Sequence, residues 1–193
     1  MLFDSLGLSV TGSDISESML NMSKKRIDES GLKIPLFKED YQLLENKISE
    51  KFDAVVCLTN AINEPDVDVI KALNSMKNIL NKNGIIVFDQ GQTDLMMKNP
   101  PEHVLEVNNI DFSRLFTMNY SENIMKIKIF DLVHTDKENE LSINTFNVKI
   151  RLYDDWTKIM EKANLDAEIY GSWDMSLYNK EKSNRLIVVA RKK

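Results

Sequence analysis

Asp14 is the residue of this chain with the plainest chemical potential. It closes the run Leu8-Ser9-Val10-Thr11-Gly12-Ser13-Asp14 and precedes Ile15-Ser16-Glu17-Ser18-Met19-Leu20, the pattern of a strand ending on an acid, a tight turn and a helix start. A parallel strand delivers such an acid to the carboxyl edge of a sheet, where its two oxygens can accept hydrogen bonds from both hydroxyls of a ribose. Ser16 is placed to cap the helix that follows. Two further groups could take part in chemistry. Asp40 and Tyr41 follow a short predicted strand, and Leu58-Thr59-Asn60 follow an apolar one. Asn60 can hydrogen-bond an amine or a hydroxyl, although asparagine at a strand end also serves as a plain turn residue. Asp40 has a structural alternative too, as the cap of a short following helix.

The elements that must position these residues are legible from periodicity. A helix is predicted from about Ser16 to Ser30, with Met19, Leu20, Ser23 and Ile27 on one face packing on the sheet and Gly31 ending it in the left-handed conformation. Lys33 to Lys38 alternates as a strand, and Phe52 to Leu58 reads as a central strand covered on both faces. Glu64-Pro65-Asp66 marks a helix start, with Val69, Leu73, Met76 and Leu80 on its apolar face before Asn83-Gly84 turns the chain into the buried strand Ile85–Asp89. This alternation predicts parallel crossovers and a doubly wound sheet.

From Val104 to Leu152 the period changes to two, predicting antiparallel strands at 123–130 and 141–148 joined by a turn at Asp136-Lys137-Glu138-Asn139. Trp156, Ile159, Met160 and Ala163 mark a last amphipathic helix stopped by Asn164. Strands near 167–173 and 186–190 finish the sheet as an antiparallel pair.

Composition narrows the function. The 193 residues carry a formal net charge of −5 and no long basic run, which argues against a protein living on nucleic-acid phosphates or anionic membranes and favours a small substrate. No apolar run spans a bilayer and the opening residues lack a secretory n-region, so the cytoplasm is expected. The asparagines at 21 and 119 match the glycosylation pattern by chance in that setting. The one cysteine, Cys57, excludes an internal disulfide and reads as a strand residue rather than a nucleophile. His103 and His134 lie far apart with no cysteine at ligand spacing, so no metal site is expected.

The segment V-x-G-x-D-I-S-x-x-M-L at 10–20 (Val10, Gly12, Asp14, Ile15, Ser16, Met19, Leu20) resembles the second strand and following helix of class I S-adenosylmethionine-dependent methyltransferases. The resemblance extends over nearly the whole chain from Leu2, in the element order from that family's second strand onward. Its first strand and glycine-rich loop have no counterpart, so the chain reads as one N-terminally truncated domain, 1–193, with an antiparallel β insertion at 102–152 acting as lid or dimer contact. The implied fold is α/β: a Rossmann-like, doubly wound, mostly parallel sheet with a C-terminal antiparallel strand pair and the insertion after the fifth family strand.

The resemblance implies S-adenosyl-L-methionine as cofactor, with Asp14 on the ribose, Ile15 and Met19 beside it, Asp40 and Tyr41 at the adenine, and Leu58 and Thr59 near the methyl donor. Leu58-Thr59-Asn60-Ala61 is similar to the Cys-Leu-Gly-Asn-Ser run of glycine and amino-sugar N-methyltransferases, with Thr59 in place of glycine. Asn60, Tyr120 and Arg151 are the candidate substrate contacts, with His134 and Tyr153 nearby, and no catalytic base is required because orientation and desolvation supply most of the acceleration. Cross-strand pairing and strand-edge polarity explain the insertion residues equally well. Asn99-Pro100-Pro101 looks like the Asn-Pro-Pro loop of DNA and protein-amide methyltransferases, but it follows the fifth predicted strand and lacks the aromatic, so it is read as a rigid connector.

The expected activity is methyl transfer to a nitrogen or oxygen of a small polar metabolite, in a homodimer. Two alternatives stand beside it: a non-catalytic methyltransferase-like fragment or scaffold, in which backbone groups of the second and central strands lack partners, and an NAD(P)-dependent oxidoreductase, which shares an acid after the second strand.

Overall fold

A computed structural model describes residues 2–135 and 139–193. Of the turn expected at 136–139, Asp136, Lys137 and Glu138 lie outside the described residues. After a short α1 (Leu2–Ser5), β1 (Gly12–Asp14) leads into α2 (Glu17–Glu29) and β2 (Leu36–Lys38). β1 and β2 pair in parallel, Asp14 opposite Lys38. As the sequence requires, the Ser16 side chain accepts from the Met19 amide at 3.4 Å and Gly31 takes φ +68° at the far end of α2.

One expectation about α2 changes. The helix has no fully buried residue: Leu20, Ser23 and Ile27 are half-covered, whereas Met19 is 48% exposed and turned from the sheet. A two-stranded sheet offers too little surface to cover a full apolar stripe.

The central unit is a four-stranded sheet in the order β3-β4-β10-β9, with β3 (Phe52–Cys57) parallel to β4 (Leu80–Gln90) across α3 (Val69–Asn78). α3 is capped by Asp68, whose carboxylate accepts from the amides of Ile70 and Lys71 at 3.0 and 3.1 Å, so the helix starts four residues after Pro65 instead of at it. Asn83 and Gly84 do not end an element before Ile85. They lie within β4, where a Cβ on Gly84 would come within 2.9 Å of the Phe52 carbonyl oxygen, beside the register shift between Phe52 and Ala54.

β3 also departs from expectation. It has β4 as its neighbour on one side, and among the described residues it pairs with no strand on the other, so Asp53, Ala54 and Val56 are exposed and Val56 retains 43% of its surface. β1 and β3 belong to separate sheets, and the parallel part of the fold is two parallel pairs facing each other across a cleft.

β5 (His103–Asn108), β6 (Phe112–Ser121), β7 (Ile124–Val133) and β8 (Glu140–Lys149) form an antiparallel sheet in sequence order, the insertion read from the period of two. One face covers a small core of Met118, Met125, Ile127, Val148 and Ile150, with Met96 and Met97 packed on it. α4 (Tyr153–Lys162) follows, ended by Asn164 at φ +52°. β9 (Leu165–Tyr170) and β10 (Leu186–Lys192) then close the sheet as the expected antiparallel pair, β10 lying against β4. The main core gathers Trp156, Phe88, Ile62, Leu73, Met76, Ile86 and Val188 between the sheet, α3 and α4.

Candidate functional site

A cavity of about 600 Å³ runs between β1 and β3, from Phe52 at the start of β3 to the carboxyl ends of both strands. The two parallel pairs, β1–β2 and β3–β4, face each other across it, and the loops that follow β1, β2 and β3 form a shared rim. β1 brings Asp14 and Ile15 to that rim, the turn after β2 brings Asp40 and Tyr41, and β3 brings Cys57 and Leu58. These residues, up to 44 positions apart in the chain, line one space.

Local bonding fixes each of them. Asp14 accepts from the Ser16 amide at 2.8 Å through one oxygen, which leaves its second oxygen with capacity to accept. Asp40 accepts from the Gln42 amide at 2.8 Å and from the Gln42 side chain at 3.0 Å, so it braces the turn after β2; it does not cap the short 3-10 helix Leu44–Asn46, which has Leu43 at its N-cap position and no side-chain cap. The Tyr41 hydroxyl donates to the Ala61 carbonyl at 2.9 Å, tying the loop after β2 to the loop after β3. Burial and the neighbouring Glu64 push the Tyr41 hydroxyl far above its ordinary range, so it stays protonated and remains a donor. Cys57 is likewise pushed up, to about 11, by burial and by Asp89 and Glu64, which keeps it a neutral thiol at physiological pH.

The loop after β3 is held in an uncommon shape. Thr59 and Asn60 are consecutive left-handed residues, at φ +63° and +66°. Asparagine tolerates that region, but a β-branched threonine there is strained. The shape persists because both residues are tied to β4 and its end. The Thr59 amide donates to the Asp89 carboxylate at 2.7 Å, the Asn60 amide to the Asp89 carbonyl at 3.3 Å, and the Asn60 side-chain oxygen accepts from the Gly91 amide at 3.0 Å. Asp89, 1% exposed, is held in turn by an ion pair with Arg185. Thr59→Gly is expected to raise unfolding free energy by about 0.5–1 kcal/mol, the left-handed penalty less the added chain entropy of glycine. Urea denaturation of the two proteins checks this, and a less stable variant would show that the threonine side chain contributes more than its backbone costs.

The remaining sequence candidates fall elsewhere. Met19 is exposed on α2, and neither Thr59, Asn60, Tyr120 nor Arg151 lines the cavity. Tyr120 donates from its hydroxyl to the Pro101 carbonyl at 2.8 Å, under the insertion sheet and next to the Asn99-Pro100-Pro101 connector. His134 pairs with Ser113 across the same sheet. Arg151, 5% exposed, donates to the Asn63 side chain at 2.9 Å, and burial lowers its pKa.

A polar network missed in the sequence lies behind the cavity wall. Gln90, fully buried at the end of β4, accepts from Asn63 at 2.7 Å and from the Trp156 indole at 2.8 Å, and donates to the carbonyls of Gln92 and Arg151 at 2.5 and 2.6 Å. Its only sequence signal was a polar residue closing a buried strand. Glu64 and Asp66 also line the cavity, although Glu64-Pro65-Asp66 read simply as a helix start.

The dimensions and donor set suit a nucleoside-bearing ligand: a cavity of several hundred cubic ångströms lies in the usual range of small-molecule sites, with an acid at a strand end and an aromatic ring on the opposite loop. Comparison with known proteins bears on this. Residues 1–84 match the methyltransferase domain family. No curated protein matches the sequence. Among solved structures, a S-adenosylmethionine-dependent methyltransferase from Clostridium acetobutylicum superposes with a TM-score of 0.83 at 16% identity, covering 96% of this chain and 75% of that one. The sugar N-methyltransferase KedS8 from Streptoalloteichus gives 0.72 at 16% identity, with 95% and 71% covered. The S-adenosylmethionine-bound amino pentose methyltransferase CalS10 from Micromonospora echinaspora gives 0.71 at 15%, with 95% and 74% covered. At such identities the likeness is one of fold, and it covers the insertion sheet as well as the core. Residues 1–84 thus match the methyltransferase domain family, and nearly the whole chain shares the fold of these S-adenosylmethionine-dependent methyltransferases.

Proposed function

We propose that the protein transfers a methyl group to a nitrogen or oxygen of a small polar metabolite. The observation that carries this reading is the convergence of Asp14, Asp40 and Tyr41 on one cavity at the carboxyl ends of parallel strands, within the residues that match the methyltransferase domain. Bound S-adenosyl-L-methionine supplies an electrophilic methyl group. In this reading the free carboxylate oxygen of Asp14 accepts from the ribose, with Ile15 covering the same end. Asp40 and Tyr41 enclose the adenine, their orientation set by Gln42 and the Ala61 carbonyl. Leu58 closes the apolar wall where the methyl group is presented, and the rigid Thr59-Asn60 turn fixes the end of β3 against Asp89. The chain's contribution is alignment and exclusion of water.

Asn60, Tyr120 and Arg151 are proposed on the acceptor side, where Arg151 and Tyr120 connect the loop after β3 and the insertion to the body of the fold. The similarity to KedS8, a sugar N-methyltransferase, and CalS10, an amino pentose methyltransferase, favours an amino sugar or another polar amine. We further propose residues 102–152 as a lid or dimer contact. The cross-strand row Leu105, Leu115, Phe130, Ile143 runs over that sheet, and its end members are 58% and 55% exposed. An apolar row of this kind suits a second copy. The same reading places the protein in the cytoplasm; no described helix is long and apolar enough to cross a membrane.

A non-catalytic scaffold is the second reading, favoured by the lack of pairing between β1 and β3 among the described residues. The two are separated by incubating the chain with S-adenosyl-L-methionine and a panel of amino sugars, small amines and polyols, and following the methyl mass increment on each acceptor. Turnover on at least one amine is expected. Saturable cofactor binding with no methylated product from any acceptor would leave the scaffold reading in place of the enzyme.

A further inference from the structure

Among the described residues five carboxylates line the cavity, those of Asp14, Glu39, Asp40, Glu64 and Asp66, and no lysine, arginine or histidine does. Among the described residues none of the five makes an ion pair. The acids come from three separate loops, so their convergence is a property of the fold and not of an acidic run. The rest of the wall is largely apolar, including Val55, Val56 and Ile79. Acids against an apolar, low-dielectric wall produce a stronger field than the same acids in open water.

We infer that this cavity reads the charge of its ligand. It favours the cationic sulfonium donor over the neutral thioether that remains after methyl transfer, and it disfavours phosphate-bearing dinucleotides. The inference rests on the cofactor reading above. Donor and product differ by the methyl group and one positive charge on sulfur, so shape alone separates them poorly. Glu64 and Asp66 are the acids suited to this task, because they lie beyond the end of β3, where the methyl group is presented, and they are not bound up in turns as Asp14 and Asp40 are.

Glu64 shows the imbalance directly. Its carboxyl is raised above the usual range, first by loss of solvent and then by Asp40, Asp14 and Asp66. The other titratable groups it faces, Tyr41 and Cys57, are neutral at physiological pH. A bound cation relieves this repulsion and a neutral ligand does not. The preference for the donor is therefore expected to fall as acidification protonates Glu64, and to weaken as salt screens the field.

The test is calorimetric and needs no turnover. Dissociation constants for S-adenosylmethionine and S-adenosylhomocysteine are measured for the native chain and for Glu64→Gln/Asp66→Asn, at low and high salt. Both positions are exposed, so the variant should fold, and circular dichroism verifies that. The product-to-donor ratio of dissociation constants is expected to drop about tenfold in the double variant, equivalent to about 1.4 kcal/mol. An unchanged ratio overturns the charge-reading inference while leaving the cofactor site standing, as would native binding of NADPH as tight as that of the donor. Absence of binding of either methionine derivative by the native chain would instead overturn the cofactor reading, and this inference with it.

Discussion

Replacing Asp14 by alanine is expected to weaken S-adenosyl-L-methionine binding at least about 100-fold. Hydrogen bonds to a charged acceptor contribute about 1.5–3 kcal/mol each, so losing two from a ribose corresponds to two decades or more in affinity. The substitution also removes a structural bond, because one Asp14 oxygen accepts from the Ser16 amide at the start of α2. Asp14→Asn separates the two contributions. It keeps one oxygen for Ser16 and replaces the ribose-facing oxygen by a neutral NH2, which can donate to a ribose hydroxyl but cannot accept from one, and should bind at an intermediate strength. Calorimetry of the three proteins, with thermal melts to confirm folding, gives the comparison. An alanine variant that binds within a factor of about three of the native chain would remove Asp14 from the site, since such a change is below the worth of one hydrogen bond.

Trp156→Ala is expected to produce the largest loss of stability, about 4 kcal/mol, the usual cost of truncating a fully buried tryptophan. Its ring is 0% exposed and packs on Phe88 with centroids 4.5 Å apart, and Arg151 lies over it. Its indole also donates to Gln90, whose amide holds Asn63 at the base of the loop after β3. A second effect follows from that linkage: the variant should bind cofactor more weakly even where it remains folded. Trp156→Phe refills much of the volume without the indole donor, and about 2 kcal/mol is expected. Urea unfolding with unchanged m-values measures both differences. A loss under about 1 kcal/mol for the alanine variant would mean that the interior collapses around the vacancy.

The parts of this protein that the sequence reveals are those with a local cause. Ser16 as a cap, Gly31 and Asn164 as left-handed stops, the antiparallel insertion and the closing strand pair each depend on residue types within a few positions of one another, and each is present. The departures have non-local causes. Phe52–Cys57 has the composition of a strand buried on both faces, yet Val56 is exposed, because burial depends on which neighbour stands on the second side. Met19 fits the apolar stripe of α2, but the two-stranded sheet beneath is too narrow to cover it.

For the candidate site the division is similar. Asp14, Asp40, Tyr41 and Leu58 were legible because acids and turns after predicted strands must gather at one sheet edge, and they do line one cavity. Residue type could not reveal that Asn60 would spend its side-chain oxygen on Gly91, or that Gln90 would become the hub joining Asn63, Trp156 and Arg151. Nor did Glu64-Pro65-Asp66 announce two cavity carboxylates, since the same tripeptide opens helices everywhere. The sequence by itself determined the order of elements, the ends marked by Ser16, Gly31 and Asn164, and the identity of the acid at the first strand's edge, because these follow from side-chain sterics, local hydrogen bonds and hydrophobic period. The tertiary structure alone decided which polar groups meet, which strand faces stay open and what net charge fills the cavity, because those depend on distances between segments that chain connectivity leaves free.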